Sequence, residues 1–175
     1  MEPHLSLKNF LLCTFSLSLS ALSFAANADP GSITIPRTVP YVEGAANDAI
    51  RAECRFPIEL PEMIAEEAKD RGLNVQLTDA NIDTAVGRVL SIRTEYVYAQ
   101  GGGAYTGKKT ARIRGELREN GQIIGDFLME RATSRGAGMF DYSACGSLNR
   151  ISDALGKDVA KWLVRPAMGT RQGIR

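Results

Sequence analysis

Between Val86 and Thr133 apolar and polar residues alternate in three long runs, and this period of two constrains the fold more than any other feature of the chain. Alternate side chains of a strand point to opposite faces, so sustained alternation calls for a sheet with one covered face. In the first run, Val86 to Ala99, the residues Leu90, Ile92, Tyr96 and Tyr98 fall on the expected core side. Two further strands, Lys109 to Arg118 and Gln122 to Thr133, meet at Glu119-Asn120-Gly121. A two-residue Asn-Gly turn would set Arg118 beside Ile123 and Arg112 beside Met129. A three-residue loop with Gly121 left-handed is therefore preferred. It pairs Leu117 with Ile123, Ile113 with Phe127, Ala111 with Met129, Arg114 with Asp126 and Thr110 with Glu130. That register places Gly115 opposite Gly125, a thin spot for Trp162 or Leu155 from a covering helix.

Two amphipathic segments supply the cover. From about Pro57 to Arg71, Leu60, Ile64 and Ala68 share a helical face, Pro61 suits a first turn and Gly72 a stop. From about Ser147 to Val164, Leu148, Ile151, Leu155, Val159 and Trp162 repeat at helical spacing. Short alternations at Ile33-Thr34-Ile35 and Leu73 to Leu77 add strands. The expected fold is α+β: a largely antiparallel sheet with two helices packed on one face. Residues 29–165 form a single domain, and 166–175 a flexible tail.

Residues Met1 to Ala28 read as a cleaved secretory signal peptide, with Lys8 before the apolar run Phe10 to Phe24 and Ala26-Asn27-Ala28 before Asp29. The run carries four serines and is short for a membrane anchor. Cys13 lacks the small residues that a lipoprotein signal places before its cysteine. The leader holds the chain's only histidine, His4, so the mature protein has no imidazole. That excludes Ser-His-Asp and Cys-His nucleophiles and His-ligated zinc or copper. With a net charge of +1, nothing points to a nucleic acid partner. The two cysteines left, Cys54 and Cys145, are expected to form one structural disulfide between the starts of the two helices, in an oxidising compartment.

Three motifs invite a function. Gly102 to Lys108 matches most of a phosphate-binding loop, but Lys109 replaces the magnesium-binding hydroxyl and a strand follows where a helix is required. The segment reads as a hairpin loop with Tyr105 at its tip as a contact residue. Asp79, Asn81 and Asp83 open like a calcium loop, but Thr84 and Leu90 stand where glycine and glutamate are needed, so Asx turns explain them. The strip Lys108, Lys109, Arg112, Arg114 and Arg118 could attract an anion. Adjacent Glu66 and Glu67 cannot converge on one substrate. No metal, cofactor or catalytic residue is assigned.

The strings Ala111 to Leu117, Gly121 to Phe127 and Leu148 to Leu163 resemble uncharacterised bacterial envelope proteins whose domain is similar to the N-terminal domain of TolB and to the curli secretion lipoprotein. The resemblance implies a periplasmic domain that binds another envelope component, and it transfers no catalytic residues. The expected function is a periplasmic or secreted, non-enzymatic binding or assembly module acting through protein contact. It would use the Gly101 to Gly107 loop or an exposed sheet edge. The alternative is a binder of an anionic small molecule, lipid head group or glycan. Candidate contacts are Tyr96, Tyr98, Tyr105, Lys108, Lys109, Arg112 and Arg114.

Overall fold

The computed structural model describes residues 31–99, 108–133 and 143–174. The signal peptide expected over 1–28 and the glycine loop carrying Tyr105 lie outside the described residues. Strands β1 (Ser32–Pro36), β2 (Asn74–Thr78), β3 (Arg88–Tyr98), β4 (Thr110–Glu119), β5 (Gln122–Ala132) and β6 (Thr170–Gln172) form one sheet in the order β2-β1-β3-β4-β5-β6. Helices α1 (Asp48–Glu53) and α2 (Phe56–Lys69) connect β1 to β2, and α3 (Ala144–Val164) follows β5. The β3-β4-β5 meander is antiparallel as expected, whereas β2-β1, β1-β3 and β5-β6 are parallel, so the sheet is mixed. The helical face holds the core: Ile33, Ile35, Leu60, Ile64, Leu90, Ile113, Leu117, Phe127, Leu148 and Leu155 are fully enclosed.

Two β-bulges separate the observed registers from the expected ones. In β3 the pairing slips between Thr94 and Tyr96, leaving Glu95 as the extra residue. Parity reverses beyond it, so Thr94 and Val97 are buried while Tyr96 and Tyr98, expected on the core side, are 42% and 37% exposed. At the hairpin, the two-residue turn does form, with Asn120 at φ 50° and Gly121 at φ 83°. It brings Arg118 opposite Ile123, and a slip between Leu117 and Arg118 then adds a residue at Ile124. Beyond that bulge Leu117 faces Gly125, Ile113 faces Met129 and Arg112 faces Glu130. The apolar side is conserved without the three-residue loop. Ile123, before the bulge, is left 50% exposed.

The glycines therefore do not face each other. A side chain on Gly115 would strike the ring of Phe127, its cross-strand partner, and a Cβ on Gly125 would lie 2.7 Å from Trp162 and 3.0 Å from Pro166. Trp162 fills the thin spot at Gly125 as expected, and its ring meets Phe127 edge-on at 4.9 Å. The segment expected as a flexible tail instead returns alongside β5 as β6. The indole Nε1 of Trp162 donates to Thr170 Oγ1 at 3.1 Å, and Gln172 donates to Asp158 at 2.9 Å.

Pro61 sits inside α2 and cannot donate the helix bond to the Pro57 carbonyl. Val39 supplies the missing donor, its amide reaching Pro57 O at 2.9 Å. Gly156 of α3 lets the backbone of Met63 on α2 approach closely, which fixes the contact of the two long helices. The Cys54–Cys145 disulfide forms, tying the α1–α2 junction to the first turn of α3, where Ser143 caps the helix by accepting from Gly146 N at 2.9 Å. The added helix α1 is capped by Asn47, which accepts from Ile50 N.

Candidate functional site

The face of the sheet opposite the helices is divided by chain connectivity. Residues 79–87 must carry the chain from the end of β2 back to the start of β3, past β1. A 3-10 turn at Ile82–Thr84 lies in this crossing, and Arg118 reaches both the Ile82 carbonyl (3.4 Å) and Asp83 (3.7 Å). This places the crossing on the helix-free side and accounts for the burial of outward-facing Ser32 and Val89. The Asx turn read at Asn81 forms, its side chain accepting from Asp83 N at 2.9 Å. Among the described residues no group of His, Cys, Asp and Glu is arranged to hold a metal.

The remainder of that face brings several candidate residues together. Tyr96 lies opposite Arg112, Tyr98 opposite Thr110 and Arg93 opposite Arg114. The arginines are already engaged. Glu130 accepts from Arg112 Nε at 2.8 Å and Nη2 at 2.6 Å, and Glu95 accepts from Arg114 at 2.8 Å and Arg93 at 3.0 Å. Burial alone would raise the Glu95 carboxyl, but the Arg114 and Arg93 hydrogen bonds outweigh it and hold its pKa below the usual range. Arg114 thus meets Glu95 in place of Asp126, which caps the turn before β6 by accepting from Gly169 N at 2.7 Å. Glu130 is likewise taken by Arg112, while Thr110 faces Ala132. Lys108 is exposed, whereas Lys109 is only 3% exposed. Glu67 is held by Arg71 at 2.8 Å, whereas Glu66 is exposed, so the two carboxylates do not converge.

The two open edges are the other feature of the site. Among the described residues β2 pairs only with β1, and β6 only with β5. No strand among the described residues pairs with the outer side of either, and an edge of this kind can accept another strand. Beside β2, where α2 ends, Ala65, Glu66, Lys69, Leu73 and Val75 line an open depression of about 650 Å³. Beside β6, Val164 and Met168 stand 52% and 63% exposed. The alternation of Leu73 to Leu77 marks a strand but carries nothing that places it at the sheet edge, and the three residues of β6 show no period in the sequence. The exposed pair Val164 and Met168 gave no signal distinct from the apolar periodicity of the last helix.

No protein-family model matches the chain, and no curated protein sequence matches it. Solved structures do. A dodecameric variant of PelC from Paraburkholderia phytofirmans matches with a TM-score of 0.50 and 18% identity, covering 75% of this chain and 87% of that one. A protein from Xanthomonas campestris of the DUF330 family matches at 0.50 and 10% identity, covering 75% and 82%. A protein described only as uncharacterized matches at 0.52 and 10% identity, covering 77% and 92%. At these identities the likeness is one of fold. None of the helices among the described residues is long and apolar enough to cross a membrane.

Proposed function

We propose that this chain is an exported, non-enzymatic module of the bacterial envelope that works by protein contact, with the open edge of β2 as its principal contact element. The observation that carries this reading is the pairing of an unpaired strand edge with an apolar depression at its side. Backbone groups there would supply affinity and the depression would accept a side chain, the two parts of strand addition. The disulfide supports export, since such bonds persist in oxidising compartments. The resemblance of the central hairpin and last helix to TolB-like and curli-secretion-like domains supports an envelope setting. The dodecameric state of the PelC variant supports an assembling role.

The alternative, an anion held on the arginine face, is weakened by the existing partners of Arg112 and Arg114, which a ligand would have to displace. A photo-crosslinking residue at Gln76, on β2, compared with one at Arg112 in cells, separates the readings. The protein-contact reading predicts a discrete protein adduct from Gln76 that survives raised salt, because strand pairing is not screened. Adducts confined to position 112 and lost in salt would sink it.

A further inference from the structure

We infer that the partner at the β2 edge is a second copy of this chain, docked through its β6 edge so that successive copies join head to tail. This rests on the protein-contact reading and adds the identity of the partner. Strand polarity comes first. β2, β1 and β3 run the same way, β4 opposes them, and β5 and β6 return to the first direction. Both edge strands therefore start at the same end of the sheet. Placing β6 of one copy beside β2 of the next makes a parallel pair, like the β5-β6 pair already present, and keeps the helices of both copies on one side. Two β2 edges could meet only antiparallel, by a two-fold rotation, so the geometry distinguishes a heterologous chain or ring from a closed dimer.

Shape and charge agree with this pairing. The depression beside β2 lies where α2 ends and β2 begins, at the starting end of the edge strands. Exposed Val164 and Met168 lie where α3 ends and β6 begins, at the same end of the opposite edge. Apolar knobs on one edge thus stand level with an apolar hollow on the other, and both would leave water when copies join. Arg165 and Arg171 are exposed beside β6, and on the last turns of α2 the exposed Glu62 and Glu66 outnumber the exposed Lys69 that lines the same depression. The acidic excess on one edge and the arginines on the other favour head-to-tail docking over the joining of like edges.

The test uses the mature protein with its native disulfide. One preparation carries Gln76→Cys, another carries Arg171→Cys, and each is oxidised alone and, in a third sample, after the two reduced variants have been mixed. Head-to-tail docking predicts a crosslinked dimer mainly in the mixture, while light scattering of the wild type reports species larger than one chain. Met168→Asp, at a position exposed in the single chain, should weaken self-association by about tenfold or more at an unchanged melting temperature. A wild type that stays monomeric overturns the inference, as does a crosslink formed equally well by Gln76→Cys alone. A monomer whose position-76 crosslinker still captures a different envelope protein overturns self-assembly while leaving the protein-contact reading standing.

Discussion

Gly125 and Gly156 mark the places where a single hydrogen in place of a methyl group decides how closely two layers meet. At Gly125 a Cβ would fall 2.7 Å from Trp162, and the ring has little room to retreat because its Nε1 is held by Thr170 and it packs edge-on with Phe127. Gly125→Ala should therefore destabilise the fold by about 1–3 kcal/mol through overpacking, read as a lower midpoint in urea with an unchanged slope. The glycine was legible as a thin spot in the sheet, but its cross-strand partner was not, because that depends on a bulge one residue away. Glu95 gives a second prediction. Its folded pKa is depressed, so it contributes stability above the unfolded carboxylate pKa, and that contribution disappears as pH falls through the folded value. Melting temperature measured down through the acidic range should fall less steeply in Glu95→Gln than in the wild type, and identical slopes would show that the Arg93–Glu95–Arg114 cluster does not stabilise the fold.

Elements were more legible than their registers. The period-two runs and helical spacings located β3, β4, β5, α2 and α3, because each buries one face and leaves a clean pattern. The bulges at Glu95 and Ile124 were hidden, since an inserted residue shifts parity without any residue type that announces it. Tyr96 and Tyr98 were consequently assigned to the wrong face. β6 was missed because three residues are too few for a period, and its order comes from contacts with Trp162 and Asp158. The disulfide was readable from the cysteine count and the leader expected over residues 1–28. It links the α1–α2 junction to α3 across 91 positions, and in the chain-entropy model it stabilises by at most roughly 4–5 kcal/mol. Cys54→Ser should lower the melting temperature substantially and make it insensitive to reductant, which otherwise lowers that of the wild type.

Strand order is a property of the whole molecule, and it was the least legible level. Nothing in the alternation of Leu73 to Leu77 tells a central strand from an edge strand, yet that difference turns a structural element into the proposed contact. The arginine strip shows the converse. It was conspicuous as a run of like charges, and the fold engages it with Glu95, Glu130 and Asp83 from other elements. Among the described residues no further strand lies against the two edges of like polarity, one beside a hollow and one beside exposed apolar side chains. The most direct test of the account is native mass spectrometry of the protein taken gently from its own envelope fraction. The expected result is a chain starting at Asp29, lighter by two hydrogens for the disulfide, and held in a complex with protein. An uncleaved leader with free thiols, or a single chain carrying only an anionic small molecule, would contradict it.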